Sequence, residues 1–214
     1  MHTPILDFWF EFASHYSYLS VMRIEDLARQ HGVRVRWNPF LLGPIFRSLG
    51  FATSPFVEQK EKGDYAWRDL QRQAEKFALP WRQPSRFPRG SVLPARIALV
   101  GAGQVWGPEF CRRAMALNFV EDTEIDDADA MAGVLESLGQ PAAQVIALAQ
   151  SEPVKLRLRA QTEAARALGI FGAPTFFARG EMFWGNDRLE DALAHCIGLA
   201  PGSSRLVPAA LRCD

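Results

Sequence analysis

Apolar residues run almost unbroken from Ile5 to Phe12, interrupted by the acids Asp7 and Glu11, which predicts a β-strand. The stretch Ser14-His15-Tyr16-Ser17 then leads into Tyr18, Val21, Ile24, Leu27 and Ala28, a helical spacing that Gly32 ends. Val33 to Phe40 alternates and predicts a second strand, so the opening unit is strand, helix, strand, the signature of a parallel pair. From about Leu41 to Ser151 the pattern changes. Helix-periodic segments at 63–78, 92–103, 107–120, 127–138 and 141–149 are divided by Pro80, Pro84, Pro88 and an acidic turn near Asp122, with no strand pattern among them. A long helix from Pro153 to Leu168 follows, then two short hydrophobic strands about Arg179-Gly180, a stop at Gly185-Asn186-Asp187, and a helix from Arg188 to Ile197.

This order predicts an α/β protein, a thioredoxin-like fold with a large all-helical insertion. Residues 5–40 and 153–198 form its discontinuous layer, 41–152 the helical insertion over its active face, and 199–214 a C-terminal tail. A proline at the mouth of a strand, as in Phe171-Gly172-Ala173-Pro174, marks an edge, a bulge or a cis turn, because proline cannot donate to a sheet ladder. The fold context selects a cis Ala173-Pro174 bond, with the backbone of Ala173 facing Ser14 across a cleft.

Twenty-four basic residues balance 24 acidic ones, so no overall field recruits nucleic acid or a membrane surface. Charge is uneven locally: Arg82, Arg86, Arg89 and Arg96 crowd one segment, and Glu121, Asp122, Glu124, Asp126, Asp127 and Asp129 another, the latter read as a solvated face. Three scattered cysteines, Cys111, Cys196 and Cys213, without a CxxC or a histidine at metal spacing, indicate neither a disulfide framework nor a metal site. The N-terminus lacks the features of a targeting segment and no apolar stretch reaches membrane-spanning length, from which a soluble cytoplasmic protein is expected.

The segments "FEFASHYSYLS", "NPFLLGPIFRSLG", "SPFVEQKEKGDYAWRDL", "RFPR" and "GIFGAPTFFARGEMFWGNDRLEDAL", in this order and spacing, resemble the 2-hydroxychromene-2-carboxylate isomerase family, a relative of kappa-class glutathione transferases in the DsbA-like thioredoxin group. The likeness runs from about residue 5 to 198. It implies a glutathione-dependent cis-trans isomerase of an aromatic hydroxy- or oxo-carboxylate in aromatic catabolism, working as a homodimer. A kappa-like transferase or peroxidase, which would consume glutathione, and a noncatalytic binding module are the alternatives.

Residue by residue, the resemblance makes Ser14 the catalytic residue, standing where disulfide oxidoreductases carry a cysteine and hydrogen-bonding the glutathione sulfur. Physically, a helix N-terminus offers unpaired N–H groups and the positive end of the macrodipole, which suit a thiolate. A serine there is also an N-cap, and the two roles can coexist. His15 departs from the family's usual proline: it either tunes the thiolate or caps the helix and faces water, the second being the plainer reading. Ala173, Trp184, Gly185, Asn186 and Asp187 are implied at the glutathione tripeptide. Asp187 and Glu190 also have capping-box spacing, and a strand tryptophan often belongs to the core. For the aromatic carboxylate, Arg47 lies near a family lysine, Phe46 being the other alignment, and Phe87, flanked by Arg86 and Arg89, lines the family's aromatic pocket. Surface arginines are otherwise ordinarily just solvated.

Overall fold

A computed structural model describes residues 3–199. The expected tail lies, from residue 200 onward, outside the described residues. Strand β1 (Ile5–Phe10), helix α1 (His15–His31) and strand β2 (Arg34–Pro39) open the chain. Helices α2 (Leu42–Ser48), α3 (Pro55–Glu58), α4 (Lys60–Lys76), α5 (Val92–Val100), α6 (Gly107–Phe119), α7 (Ala128–Ser137), α8 (Ala142–Ala149) and α9 (Glu152–Ala167) follow. The described chain closes with β3 (Thr175–Ala178), β4 (Glu181–Trp184), a 3₁₀ turn at Asn186–Arg188 and α10 (Leu189–Cys196). The sheet order is β2-β1-β3-β4, with β1 parallel to β2 and antiparallel to β3, and β3 antiparallel to β4.

Strand β1 is apolar on both faces because both are covered. Leu6, Phe8 and Phe10 join a core cluster that includes Tyr18 and Ile24 of α1, Leu70 of α4 and Phe110 of α6. Trp9 points the other way, into a smaller cluster with Phe40, Ile45 of α2, Ala165 of α9 and Ile170. The helical block therefore shares the larger core with the sheet.

β1 ends at Phe10, two residues short of the expected Phe12. The cause is a turn: Ser14 N donates to Glu11 O at 3.1 Å, and Ala13 N donates to the Glu11 carboxylate at 2.8 Å, so these amides leave the ladder. The short helices α2 and α3 occupy a stretch in which no helical period was read. The acidic run is not simply a solvated face. Asp122 accepts from Ser85 N at 2.7 Å and pairs with the buried Arg89 at 2.5 Å, and Glu124 pairs with Arg86 at 2.8 Å. Asp126 accepts from Leu93 N at 2.6 Å, and Asp127 caps α7. The basic and acidic segments thus bind one another and fix the loop carrying Phe87.

Helices α3 and α4 meet at Gly63, where an added Cβ would stand 2.1 Å from the Phe56 carbonyl oxygen. Alanine in place of a helical glycine ordinarily gains about 1 kcal/mol. Here overpacking, about 1–3 kcal/mol, wins because a neighbouring backbone cannot rotate aside. Gly63→Ala is expected to lower the melting temperature and displace Phe56; a rise in melting temperature would refute the close approach.

Candidate active site

The topology brings the predicted site residues to one end of the sheet. Trp9 near the end of β1 pairs with Thr175 at the start of β3, which pairs with Trp184 at the end of β4, while Phe10 pairs with Pro39 at the end of β2. Chain leaving β1 at that end therefore meets chain entering β3, β4 leaves toward Asn186 at the same place, and β2 leaves toward α2. Ser14, Ala173, Trp184, Gly185, Asn186, Asp187, Arg47, Phe46 and Phe87 all line one cavity of about 1120 Å³. Of the flanking arginines, Arg89 also lines the cavity, and Arg86 does not.

Ser14 caps α1, its Oγ accepting from Ser17 N at 3.2 Å, and the same hydroxyl donates to Ala173 O at 2.9 Å. Tyr18 N bonds Ser14 O, which leaves the N–H groups of His15 and Tyr16 as the uncapped amides of the first turn. The Ala173-Pro174 peptide is cis, as the strand-mouth proline predicts. Among the described residues no cysteine lines the cavity; Cys111 and Cys196 are buried elsewhere, and burial pushes both thiols up.

On the far wall, the plainer structural readings of Trp184 and Asp187 do not hold. Trp184 is half-exposed rather than a core residue, and packs on Phe171 with ring centroids 4.7 Å apart. The capping box does not form: Glu190 pairs with Arg23 at 2.8 Å, Asp187 with Arg188 at 3.1 Å, and no side chain caps α10. The same Arg23 guanidinium donates to the side-chain oxygen Oδ1 of Asn186 at 3.2 Å. Asn186 is buried, its side-chain oxygen shared with Ser20 at 3.2 Å, so this side chain ties the wall to α1. Gly185 has φ 111°, and a Cβ there would also meet Asp187 Oδ1, so the bend needs glycine.

His15, next to Ser14, is buried and does not face water. Its ring lies 4.4, 4.9, 4.9 and 5.6 Å from the rings of Tyr16, Phe56, Trp67 and Phe87. Burial pulls its pKa down to about 3, so the imidazole stays neutral at neutral pH. Arg47 lies exposed at the rim with no ion-pair partner among the described residues, and Arg89 is tied to Asp122. Lys62 on α4 also lines the cavity, unpaired among the described residues, and was not singled out in the sequence.

Glu11 is the largest omission. Its carboxyl is buried in the cavity wall three residues before Ser14, receiving bonds from Ser91 Oγ and Ala13 N. Desolvation pushes its pKa up to about 7 despite those bonds. The available signal was an acid inside an apolar strand directly before the serine cap.

The fold holds the Glu11 proton more tightly than the unfolded chain does, so this stabilisation is complete below pH 4.5 and is lost as pH rises toward 7. Glu11→Gln keeps a donor and an acceptor for Ser91 and Ala13 without the charge. Relative to the native chain it should gain on the order of 3 kcal/mol between pH 4.5 and pH 8 in urea denaturation. A pH-independent difference would show that the carboxyl is not desolvated.

The family model of the DSBA-like thioredoxin domain matches residues 5–196. A 2-hydroxychromene-2-carboxylate isomerase of Pseudomonas sp. (strain C18) is 31% identical, over 92% of this chain and 92% of that protein. A solved structure of 2-hydroxychromene-2-carboxylate isomerase superposes with a TM-score of 0.79 at 30% identity, over 86% of this chain and 90% of that one. The rat (Rattus norvegicus) glutathione S-transferase kappa 1 is 28% identical, over 91% of each chain. With its serine-capped first helix and cis-proline turn closing one aromatic cavity, the chain belongs to the DSBA-like thioredoxin family, in the group of the 2-hydroxychromene-2-carboxylate isomerases, related to kappa-class glutathione transferases.

Proposed function

We propose that the chain is a glutathione-dependent cis-trans isomerase of an aromatic hydroxy- or oxo-carboxylate, of the 2-hydroxychromene-2-carboxylate type, acting in aromatic catabolism as a cytoplasmic homodimer. The observation that carries the reading is the hydrogen bond from Ser14 to Ala173 O at the head of α1, inside a cavity walled by aromatic rings. The relatives' names support the substrate class, and the uncapped amides beside Ser14 fit a thiolate ligand.

Bound glutathione would supply a nucleophilic thiolate able to add reversibly to a conjugated ketone, which would lower the barrier to rotation about its double bond. Ser14 has one hydroxyl proton. In this reading the hydroxyl turns from Ala173 O toward the sulfur, where a charge-assisted bond favours thiolate over thiol, and the released carbonyl accepts an amide N–H of the tripeptide. The amides of His15 and Tyr16 and the α1 dipole act in the same sense. Trp184 and Gly185 wall the tripeptide beside the buried Asn186, and the exposed Asp187 takes its ammonium. Arg47 and Lys62 hold the carboxylate of the aromatic ligand, whose ring lies along Phe87. A transferase, favoured by the kappa-class relative, would consume glutathione and accumulate a conjugate with a standard electrophile.

Two variants separate the roles. Ser14→Ala should lower the glutathione-dependent isomerisation rate roughly tenfold to a hundredfold while glutathione affinity changes little, because the lost bond is worth about 1.5–3 kcal/mol and is made to the sulfur alone. Loss of the cap should cost about 1 kcal/mol of stability. Near-normal turnover would leave Ser14 as a cap. In Gly172→Ala the new Cβ would stand 2.4 Å from Trp184 Nε1, and the half-exposed indole can swing away. It should therefore weaken glutathione binding in calorimetry with little change in stability; unchanged affinity would remove Trp184 from the tripeptide wall.

A further inference from the structure

His15 alone among the described residues has every polar atom of its side chain buried and without a hydrogen-bond partner. A neutral imidazole carries one donor and one acceptor, and buried polar groups are nearly always paired, since an unmade bond costs about 1–3 kcal/mol. Four aromatic rings pack against the imidazole: Tyr16 from its own helix, Phe56 from α3, Trp67 from α4 and Phe87 from the loop fixed by Arg89. Contacts between an N–H and an aromatic face are second-order and replace such a bond only in part. An apolar residue would pack here at lower cost, so the polar atoms point to a ligand.

His15 lines the cavity together with three of the rings packed on it, Tyr16, Phe56 and Phe87. We propose that His15 is a specificity-determining residue that hydrogen-bonds a ring hydroxyl of the aromatic ligand, so that the cavity selects hydroxylated over unsubstituted aryl oxo-acids. A hydroxyl suits the site better than a carboxylate does. The imidazole stays neutral there, burial holding its pKa at about 3, and offers an acceptor for an O–H but no charge to an anion; a carboxylate is served instead by the exposed cations Arg47 and Lys62, the latter with its ammonium 5.5 Å from the Phe56 ring centroid. A phenol entering between Phe56 and Phe87 places its oxygen against the ring nitrogens while its own ring replaces the aromatic edge it displaces. The assignment rests on the isomerase reading for the identity of the aromatic ligand.

The test compares o-hydroxybenzylidenepyruvate with benzylidenepyruvate, which lacks only the hydroxyl, as probes of the full chain by calorimetry. The native chain should bind the hydroxylated acid at least about tenfold more tightly. His15→Phe should abolish that preference, leave the affinity for benzylidenepyruvate unchanged and raise the melting temperature at pH 5 more than at pH 8, since it removes a group whose folded pKa lies below its unfolded value. Histidine ¹⁵N spectra of the native chain give a readout that needs no variant: the His15 ring nitrogens should shift with the hydroxylated acid and not with the other. A preference that survives in His15→Phe, equal binding of the two acids, binding of neither, or identical spectra would overturn the assignment. Isomerase turnover without hydroxyl preference sinks this inference alone; hydroxyl preference without turnover sinks the isomerase reading and leaves the His15 contact standing.

Discussion

The hydrogen bond from Ser14 Oγ to Ala173 O joins groups 159 residues apart, and the rest of the site is arranged around it. It exists because β1 and β3 are antiparallel neighbours: where the chain leaves β1 for α1 is where it enters β3 from the proline turn. The β3-β4 hairpin returns Trp184 to that same end, and the parallel β1-β2 pair sends α2 off beside it. One topological fact thus gathers a helix N-terminus, the Ala173 carbonyl, a tryptophan and an arginine at a single cavity. The hydroxyl holds one proton, which Ala173 O accepts here and which the proposed reading turns toward the sulfur.

Charge is distributed within this cavity by depth. Glu11 and His15, in its wall, are both driven toward their neutral forms by burial, the acid upward and the imidazole downward. Arg89, which would otherwise be a buried charge, is neutralised by Asp122 and bonded to Asn118. Arg47 and Lys62, without ion-pair partners among the described residues, are exposed. The result is a neutral, polarisable interior beneath a rim that carries both signs, Arg47 and Lys62 with the exposed Asp187.

The fold was legible where period and punctuation agreed. The β1-α1-β2 unit, the long helices and the terminal hairpin carry clear spacings closed by Gly32, Arg179-Gly180 and Gly185. Short helices were not legible: α3 has four residues and takes its order from packing against Gly63 of α4, which no local pattern encodes. At the site, the Ser14 cap and the cis turn at Ala173-Pro174 were legible from a helix start and a strand mouth, whereas the glutathione roles of Ser14, Ala173 and Trp184 came from the resemblance alone. Glu11 was missed because it read as an acid within a strand, whereas a turn folds it inward onto Ser91, 80 residues away. His15 read as facing water because three of its four walls come from α3, α4 and the Phe87 loop. Asp187 and Glu190 fit a capping box in sequence; Arg23, on another helix, takes Glu190 instead.

The central claim is that the head of α1 stabilises a thiolate. It is tested most directly by following the thiolate absorbance of glutathione bound to the intact chain as pH is raised, with free glutathione as the reference. The account predicts that the bound thiol titrates at least about one pH unit below its free value, one unit being about 1.4 kcal/mol of preference for the ionised form. A bound thiol that titrates at or above the free value would contradict it.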